Sequence, residues 1–381
     1  MRPISDKRTC CGCEACAAIC PQQCIRMEED AEGFRYPVTD PNRCIDCGLC
    51  EHICPERHPA AVRTPSECYA ARARNAEICA ASSSGGIFPL LAAETIRAGG
   101  VVFGAAFTPE GEVAHRKAAT LAEIHPLAKS KYVQSRPDGC YQEVAALLRE
   151  GRRVLFTGTP CQIAGLYAFL RGKHSELLLT AECLCHGVPS PGLWRRYLRE
   201  IGGGRRILRI DFRDKSLGGW RNYGFALHTE SGTERHPARE NLYMRGFLRE
   251  LTLRPSCYAC PFKSGRSGSD LTLCDLWNVA EVAPQFDDNR GVSLVLANTP
   301  AGAEWFRMLD TEHTALPYDE RVRARNGGFS EHIAEHPQRR AFFGSLAETR
   351  SVIALLRRMI RPTLRQRLYR KLQAMFASQP S

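Results

Sequence analysis

Two cysteine motifs of identical spacing lie within the first 55 residues of this 381-residue chain. Each follows the pattern C-x2-C-x2-C-x3-C-P, the first beginning at Cys10 and the second at Cys44. Cysteines at this spacing hold two iron–sulfur cubes, because three thiolates of each motif bind one cube and the fourth reaches the other. The spacing therefore predicts two 4Fe–4S clusters. The predicted ligands are Cys10, Cys13, Cys16 and Cys54 for cluster one, and Cys44, Cys47, Cys50 and Cys20 for cluster two.

Zinc is the alternative metal, because four cysteine thiolates also bind a zinc ion. Zinc sites seldom place three cysteines at this spacing before a fourth cysteine and a proline, and here the arrangement occurs twice. Iron–sulfur binding is therefore favoured, and residues 5–56 resemble the dicluster ferredoxins. Cys11 and Cys24 fall outside the pattern, and we expect them to be small buried hydrophobic side chains.

The cysteine content separates this chain from disulfide-bonded secreted domains. Its 19 cysteines are an odd number, so they cannot all pair with one another. The first nine residues contain no apolar segment, and no apolar run reaches the roughly 18–20 residues that cross a bilayer. A hydrophobic content of 44% suits a globular protein rather than a disordered one. These features predict a cytoplasmic protein that uses cysteines for metal or redox chemistry.

The positive charge is concentrated at the C-terminus. The chain carries 52 Lys and Arg against 41 Asp and Glu, a net charge of +11, and eight of the basic residues lie in the acid-free segment 350–381. A general nucleic-acid surface is therefore not indicated. Apolar residues at three- and four-residue steps predict a basic amphipathic helix in this tail, interrupted by Pro362. Such a helix would pack on the body, dock on an acidic partner or lie on an anionic membrane surface.

A Ser-Gly loop precedes the first helix that we predict in the body of the protein. Residues 87–98 are apolar on most of one face and are followed by two glycines, and residues 101–107 then predict a buried strand. The loop at 82–86 offers backbone N–H groups that could bind a phosphate. A plain helix N-cap explains the same residues, so the spacing leaves both interpretations open.

A β-α-β unit is predicted from residue 154 to residue 181. Strands at 154–157 and 177–181 flank a helix at 163–170, and in such a unit the two strands run parallel. The loops after both strands therefore lie at the same edge of the sheet. Two short core strands are also predicted within 270–277 and 291–296, on either side of a turn.

Four further cysteines could converge at that sheet edge. Cys161 follows the first strand of the unit and Cys185 follows the second, so we expect these two residues to be neighbours. Cys257 and Cys260 form a third C-x2-C pair and would complete a set of four thiolates. The spacing leaves open a third metal centre or buried structural cysteines. Asp275 likewise could accept a hydrogen bond from a ribose or flavin edge, or could cap a turn.

These elements predict a protein of the α+β or α/β class. A small dicluster ferredoxin-like domain at 1–58 and a linker at 59–78 precede an α/β body with β-α-β units, for which flavin binding is implied by the family resemblance described below. That body is expected over 79–330, with an N-terminal part at 79–150 and a C-terminal part at 151–330. A basic helical tail follows at 331–381.

The order of the motifs resembles the beta-subunit family of coenzyme F420 hydrogenases and dehydrogenases over roughly residues 67–330. The matching segments are Ser82-Ser-Ser-Gly-Gly-Ile87, Lys129-Ser-Lys-Tyr-Val-Gln-Ser135, Phe156-Thr-Gly-Thr-Pro-Cys-Gln162, Cys185-His-Gly-Val-Pro-Ser190, Phe212-Arg-Asp-Lys215, Gly219-Trp220, Cys257-x2-Cys260 and Ser269-Asp-Leu-Thr272. Two of these segments, the ones that contain Cys161 and Cys185, are the most specific.

The resemblance implies an FAD-containing iron–sulfur oxidoreductase with a third 4Fe–4S cluster in its body. By position, the ligands of that cluster would be Cys161, Cys185, Cys257 and Cys260. The residues implied around FAD are Ser83, Ser84, Gly85, Gly86, Lys129, Ser130, Lys131, Asp270 and Asp275. Relatives more often have glycine where this chain has Cys274. Because relatives act on different substrates, the resemblance does not name the substrate, and coenzyme F420 is the less favoured one.

Three functions follow from these observations. The first is a flavin- and iron–sulfur-dependent oxidoreductase that acts on a small molecule and exchanges electrons with a ferredoxin-like partner. A flavin suits this role because it exchanges one or two electrons, whereas a cluster carries one. The second is a non-catalytic electron-transfer subunit that feeds a separate enzyme. The third is a zinc-stabilised binding protein with a basic tail.

Overall fold

The computed structural model describes residues 3–4, 6–173 and 176–360. The strands are β1 (Ile25–Glu29), β2 (Arg35–Thr39), β3 (Glu67–Ala73), β4 (Val101–Phe107), β5 (Val113–Ala118), β6 (Val154–Gly158), β7 (Leu178–Cys183), β8 (Ile207–Asp214), β9 (Gly224–Thr229), β10 (Gly232–Pro237), β11 (Leu271–Asp275), β12 (Ser293–Ala297) and β13 (Thr311–Ala315). The α-helices are α1 (Ala15–Ile19), α2 (Leu49–His52), α3 (Ala76–Ala80), α4 (Ile87–Arg97), α5 (Cys140–Arg149), α6 (Pro160–Leu170), α7 (Pro191–Gly202), α8 (Leu242–Phe247), α9 (Val279–Val282), α10 (Pro300–Arg307), α11 (Glu320–Arg323), α12 (Arg339–Leu346) and α13 (Val352–Met359). Short 3-10 helices cover Leu121–Leu127, Pro255–Ala259, Pro284–Phe286 and Gly327–Phe329.

The N-terminal region has the small ferredoxin-like architecture that the cysteine motifs predict. β1 and β2 pair antiparallel, with Ile25 opposite Thr39. The short helices α1 and α2 each follow the second cysteine of a motif and pack against one another. Glu14 and Gly48 precede them in left-handed backbone conformations, so each motif turns tightly into its helix.

The body is built on one mixed sheet of eight strands, in the order β13-β3-β12-β11-β7-β6-β4-β5. The four central strands β11, β7, β6 and β4 run parallel, whereas the strands outside them pair antiparallel. The carboxyl ends of the four parallel strands therefore meet at one edge, which we call the carboxyl edge. A separate antiparallel sheet, in the order β10-β9-β8, completes the body.

The predicted fold class is confirmed, and several elements begin and end where the sequence indicates. β4 covers the predicted 101–107, and β6 and β7 are adjacent parallel strands joined through α6. Helix α6 begins at Pro160 rather than at residue 163, because Thr159 and Gln162 form a capping box before the apolar run. Helix α7 begins after Ser190, whose hydroxyl accepts a hydrogen bond from the Leu193 N–H.

Part of the predicted linker at 59–78 is a strand of the large sheet. β3 occupies Glu67–Ala73, is almost entirely buried and pairs with both β12 and β13. Alternation of apolar and polar residues is the usual mark of a strand, but β3 has the sequence Glu-Cys-Tyr-Ala-Ala-Arg-Ala, is buried along nearly its whole length and shows no such alternation. The prediction of a linker over these residues is therefore wrong for 67–73.

The described part of the C-terminal tail at 331–381 contains helices α12 and α13, and α13 packs on the body. α13 contacts α7 and α8, and Val352, Leu355 and Leu356 on this helix are buried. Ser351 caps its first turn by accepting a hydrogen bond from the Ala354 N–H. The rest of the predicted basic helix, with Pro362, lies outside the described residues. Among the helices described, none is long and apolar enough to cross a membrane.

Candidate functional site

The four cysteines predicted to bind cluster one line a single small pocket. Cys10, Cys13 and Cys16 of the first motif face this pocket together with Cys54 of the second. Burial raises the pKa of each of these thiols, and the charges of Cys10 and Cys54 interact with that of Cys16. An iron–sulfur cluster would reverse this preference, because bound iron stabilises the thiolate form. The donor set and its convergence fit a 4Fe–4S cluster.

The second pocket repeats the arrangement with the motifs exchanged. Cys44, Cys47 and Cys50 line it together with Cys20 of the first motif. Each pocket thus takes three cysteines from one motif and one from the other, which is the crossed pattern predicted from the spacing. In the residues described, no three His, Cys, Asp or Glu side chains are arranged to hold a single metal ion. The assignment of these eight cysteines as cluster ligands stays a prediction.

Cys11 and Cys24 are buried as expected. Their thiols also contact the thiols of other cysteines, which a purely hydrophobic role does not explain. The Cys24 Sγ lies 3.3 Å from the Cys20 Sγ in the second pocket. The Cys11 thiol is close enough to hydrogen bond with both Cys13 and Cys161. Cys11 therefore lies between the cluster-one pocket and the body, a position that its sequence spacing does not reveal.

Helix α6 carries Cys161 to the carboxyl edge, where the other three predicted ligands of a third cluster also lie. Cys161 stands in the first turn after β6, and Cys185 follows β7. Cys257 lies on the 3-10 helix Pro255–Ala259, which Cys260 terminates. A negative charge on Cys161 would raise the pKa of Cys185, Cys257 and Cys260, so the four thiols lie near one another. The strand-edge argument predicted that Cys161 and Cys185 would be neighbours.

Burial keeps this group of thiols protonated when no metal is bound. It raises the pKa of Cys257 to about 11 and that of Cys260 to about 12. Four convergent cysteines that are shielded from water are a suitable donor set for a 4Fe–4S cluster. Their assignment as its ligands stays a prediction.

A cavity of about 480 Å³ opens at the carboxyl edge beside these thiols. This volume lies in the range of small-molecule and cofactor sites. Cys185 lines the cavity as well as belonging to the thiol group, so the two sites adjoin. Of the residues predicted around FAD, those that line the cavity are Ser83, Ser84, Gly86, Lys129, Ser130, Lys131 and Asp275.

Two of the predicted FAD residues, Gly85 and Asp270, lie outside the lining of the cavity. Asp270 precedes β11 at the end opposite Asp275, where its carboxylate accepts hydrogen bonds from Thr180 and Thr299. Gly85 packs so closely on β3 that a Cβ built there would lie 2.4 Å from the Ala71 carbonyl oxygen. Both residues hold elements together, so the structure gives them positions that differ from the predicted contact with a cofactor.

Lys215, which directly follows β8, fixes the Ser-Gly loop at the start of α4. The Lys215 Nζ donates hydrogen bonds to the carbonyl oxygens of Cys79, Ser84 and Arg290, at 2.8, 2.8 and 2.7 Å. Gly86 caps α4 with a φ of 88°, a conformation that glycine adopts without strain. The loop therefore holds its backbone at the cavity without depending on a bound group.

Arg213 lines the cavity beside Asp275 and Tyr223. It was not among the predicted site residues, and it is the central charged group of this side of the cavity, which we call the cavity wall. Its guanidinium is buried, contacts both Asp275 carboxylate oxygens at 2.8 and 3.2 Å, and lies 4.0 Å from the centre of the Tyr223 ring. Trp220 donates to the same carboxylate at 2.6 Å. Asp275 thus orients Arg213 rather than only capping a turn. The segment beginning at Phe212 that resembles the family could have indicated this residue.

The two predicted lysines differ in their surroundings. Lys129 forms an ion pair with the buried carboxylate of Asp211. Within the described part of the chain, the Lys131 Nζ donates hydrogen bonds to two backbone carbonyl oxygens, those of Leu127 at 2.9 Å and Ala128 at 2.6 Å. Burial lowers the pKa of Lys131 to about 7. Lys129 therefore carries a paired charge at the cavity, whereas Lys131 loses its charge easily.

The titratable residues that line the cavity and were not predicted include His115 and Glu182. His115 on β5 is 2% exposed, and burial lowers its pKa to about 4. Glu182 on β7 is 3% exposed, and burial raises its pKa to about 7. Neither belongs to a motif that carries chemistry in the sequence, so only the packing of the sheet reveals them.

Two family models match parts of this chain. Residues 151–316 match the family model for the C terminus of the coenzyme F420 hydrogenase/dehydrogenase beta subunit, and residues 9–57 match that of a 4Fe–4S dicluster domain. A solved structure of the F420-reducing [NiFe] hydrogenase complex from Methanosarcina barkeri includes a similar chain, at 16% identity and a TM-score of 0.45. That similarity covers 79% of this chain and 92% of the other. No curated protein matches the chain. Residues 151–316 of the chain thus correspond to the C terminus of the coenzyme F420 hydrogenase/dehydrogenase beta subunit, and residues 9–57 form an N-terminal 4Fe–4S dicluster domain.

Proposed function

We propose that this iron–sulfur electron-transfer oxidoreductase passes electrons between its clusters and an FAD bound in the carboxyl-edge cavity, and so reduces or oxidises a small molecule. One observation carries the proposal. Thiols form a continuous series from the cluster-one pocket through Cys11 and Cys161 to Cys185, which lines the cavity. Clusters held along such a series would be close enough to exchange electrons with a cofactor in the cavity.

FAD is the cofactor that best fits the cavity wall. The Ser-Gly loop at the start of α4 and the paired charge of Lys129 suit a pyrophosphate group, because backbone N–H groups and cations bind phosphate oxygens. The indole of Trp277, 5.0 Å from the Trp220 ring and parallel to it, offers an aromatic face to a flat ring. A bound flavin would supply the exchange between one-electron and two-electron chemistry. The chain's own residues would hold it and exclude water.

The electrons would enter or leave through the face that surrounds the second motif. Cys47 is exposed there, and the neighbouring Ile45 is 61% exposed. An apolar side chain beside a cluster ligand suits contact with a redox partner protein, such as a ferredoxin-like donor. The same face favours the second candidate function, an electron-transfer subunit that hands its electrons to a separate enzyme.

Anaerobic purification, with iron, sulfide and flavin quantified together, tests the proposal. Three cubic clusters and one flavin correspond to about twelve iron atoms and one FAD per chain. A content of eight iron atoms per chain in fully reconstituted protein would exclude a third cluster at Cys161. If the purified protein contains no flavin and does not bind added FAD, the proposed flavin function is excluded. Reduction of a small acceptor by the purified protein alone would separate an enzyme from an electron-transfer subunit.

A further inference from the structure

We propose that Arg254 raises the reduction potential of cluster one, so that electrons arriving at cluster two pass on toward the body. The inference rests on the predicted clusters, adds a direction to the proposed electron transfer, and does not depend on the flavin. It starts from the arginine side chains that are buried in the described chain, Arg72, Arg213, Arg254 and Arg339. Carboxylates form ion pairs with the other three. Arg254 is 1% exposed and forms no such pair among the described residues.

Neutral groups hold the Arg254 guanidinium at the junction of the ferredoxin-like region and the body. Its Nε donates a hydrogen bond to the Cys10 carbonyl oxygen at 2.8 Å, and its Nη2 donates to that of Arg35 at 3.0 Å. Its Nη1 donates to the Gln134 Oε1 at 3.1 Å, and its Cζ lies 4.3 Å from the centre of the Tyr36 ring. These partners fix the side chain but carry no negative charge, so they do not neutralise the buried cation.

The same guanidinium reaches a predicted ligand of cluster one. Its Nη2 lies 3.7 Å from the Cys10 Sγ, within range of an N–H···S hydrogen bond. Reduction adds a negative charge to a cluster, and a cation or hydrogen-bond donor beside the ligating sulfur stabilises that charge and raises the potential. The carboxyl group of Glu56 interacts with Arg254, but the two form no ion pair in the described structure. Arg254 therefore acts on cluster one as a positive charge that no direct contact neutralises.

The first cysteine motif leaves space for this side chain. Gly12, between Cys10 and Cys13, has a φ of 71°, and a Cβ built there would lie 2.9 Å from both the Cζ and the Nη1 of Arg254. Because a side chain at this position would push the guanidinium aside, the close approach of the arginine requires a glycine between these two predicted ligands. The cysteine loop and the arginine thus fit one another.

The second motif has a negative charge at the equivalent position. Asp46 stands between Cys44 and Cys47, as Gly12 stands between the first two ligands of its own motif. The Asp46 Oδ1 lies 3.8 Å from the Cys44 Sγ, and Asp46 is exposed. A carboxylate beside a ligating sulfur opposes the negative charge that reduction adds, although water and salt screen an exposed group. The opposite charges of Arg254 and Asp46 therefore predict a higher potential for cluster one than for cluster two.

This order of potentials directs electrons toward the body. The proposed contact with a redox partner surrounds Cys47, a predicted ligand of cluster two. Transfer of one electron from cluster two to cluster one oxidises the former and reduces the latter, with no proton moved and no bond made or broken. The Arg254 carbonyl oxygen accepts a hydrogen bond from the Cys257 N–H at 3.0 Å, and the Arg254 charge interacts with that of Cys257. The arginine thus also lies beside a predicted ligand of the third cluster, the next acceptor.

The test is a reduction titration of the full-length, iron-reconstituted protein, followed by electron paramagnetic resonance. Arg254→Gln removes the charge and keeps a hydrogen-bonding amide, whereas Arg254→Lys keeps the charge and loses the planar set of donors. Arg72→Gln is the matched control, because Arg72 is also buried but pairs with Asp288 and Glu312, away from the cysteine pockets. Cys47→Ser, which removes a predicted ligand of cluster two, identifies the signal of that cluster. Thermal unfolding of the arginine variants measures their structural effect separately.

We expect cluster one to have the higher potential in the wild type. Its equilibrium constant for reduction should fall about tenfold in Arg254→Gln, which for one electron is a shift of about 59 mV. Arg254→Lys and Arg72→Gln should retain most of the wild-type potential, and cluster two should not shift in any of the three. Absence of flavin would not change these expectations.

A purely structural role of Arg254 predicts a different result. Both Arg254 variants would then be less stable, with wild-type potentials in each or with equal shifts in the two, and either pattern would overturn the proposal. A wild-type potential of cluster one at or below that of cluster two would overturn it even if Arg254→Gln fails to fold. An iron content well below about eight atoms per chain in the reconstituted wild type would instead overturn the predicted clusters, and this inference with them.

Discussion

Gly165 of helix α6 lies directly against Cys13 of the first cysteine motif. A Cβ built on Gly165 would lie 2.9 Å from the Cys13 Cβ and 3.2 Å from its Sγ. Cys161 stands one helical turn earlier on the same helix, so it lies on the same face as Gly165. The ferredoxin-like region and the body are therefore joined where the predicted ligands of cluster one and of the third cluster come nearest to each other.

Gly165→Ala should disturb this junction. The new methyl group would also meet the Tyr141 hydroxyl at 2.9 Å, so α6 or the cysteine loop would have to move. We expect the free energy of unfolding to fall by about 1–3 kcal/mol and electron transfer from cluster one to slow. Denaturant unfolding and the time course of cluster oxidation measure these effects. Gly344→Ala is the control, because nothing lies within 4 Å of its added methyl group and alanine favours a helix by about 1 kcal/mol. Equal stability of the two variants would contradict the close packing.

Cys161→Ser or Cys257→Ser should remove one cluster and leave the two ferredoxin clusters intact. A serine hydroxyl is much less acidic than a thiol and is a poor replacement for a thiolate at iron. We expect iron content to fall by about four atoms per chain, since one cube holds four irons. Cys68→Ser is the matched control, because Cys68 is buried on the large sheet away from the predicted ligands. Full iron content and an unchanged redox signal in either variant would exclude that residue as a ligand.

Asp275→Asn should weaken the cavity wall more than Arg213→Lys. The asparagine leaves the Arg213 guanidinium buried without a counter-ion, and loss of one partner of a buried ion pair costs about 3–5 kcal/mol. Lysine keeps the positive charge but loses the bidentate contact. Thermal unfolding and FAD titration should rank wild type, Arg213→Lys and Asp275→Asn in that order. A variant Asp275→Asn as stable as the wild type would show that Arg213 does not depend on this carboxylate.

His115 and Glu182 should contribute to stability with opposite dependences on pH. Burial lowers the pKa of His115 from 6.5 to about 4, so between these values the unfolded chain binds a proton that the folded protein does not. The free energy of unfolding therefore falls as the pH drops through this window, by up to about 1.4 kcal/mol per pH unit. His115→Gln should remove that contribution. Urea unfolding of both proteins between about pH 4.5 and 7, at steps of roughly half a pH unit, would detect the difference.

The contribution of Glu182 has the reverse sign. Burial raises its pKa from 4.5 to about 7, so between these values the folded protein holds a proton that the unfolded chain has lost. Stability from this group is present at low pH and is lost as the pH rises through about 7. Glu182→Gln should therefore be more stable relative to wild type at pH 8 than at pH 5. If the stability of Glu182→Gln relative to wild type is the same at pH 5 and at pH 8, the pKa of the Glu182 carboxyl group is not raised.

Leu356→Ala should destabilise the protein, because the described part of the tail is packed on the body. Leu356 on α13 is fully buried among core residues, and such truncations cost about 2–5 kcal/mol. Arg357→Ala, at an exposed neighbouring position, should change stability by less than about 0.5 kcal/mol. Thermal unfolding compares the two. Co-sedimentation with anionic vesicles, before and after truncation following Ile360, separately tests the membrane hypothesis for the remaining tail.

The sequence predicts most strongly what local spacing determines. The two cysteine motifs, the capping of α7 by Ser190 and the buried strand β4 all depend on residues close together in the chain, and the structure agrees with each. The neighbourhood of Cys161 and Cys185 was also predictable, because one rule about parallel strands is enough to place them.

The remaining site residues depend on contacts between distant parts of the chain. The contact of Arg213 with Asp275 joins residues 62 positions apart, and that of Glu182 with Thr272 joins residues 90 positions apart. Neither contact has a periodic signal, and the family-like segments that contain Arg213 and Thr272 do not show which residue each one contacts. Asp270 was predicted as a site residue because it lies in a family-like segment. Its carboxylate instead accepts hydrogen bonds from Thr180 and Thr299 and does not line the cavity.

The pairing of β3 sets an order of events during synthesis of the chain. This strand directly follows the ferredoxin-like region, yet its two partners are β12 and β13, which end at Ala297 and Ala315. On the ribosome, residues 67–73 must therefore wait for more than 200 further residues before their backbone groups can pair, and unpaired apolar strands are prone to aggregate. The ferredoxin-like region needs only its own residues to bring the two cysteine motifs together. Assembly of its two clusters can therefore precede closure of the large sheet, so that the body would close around a region already holding its iron.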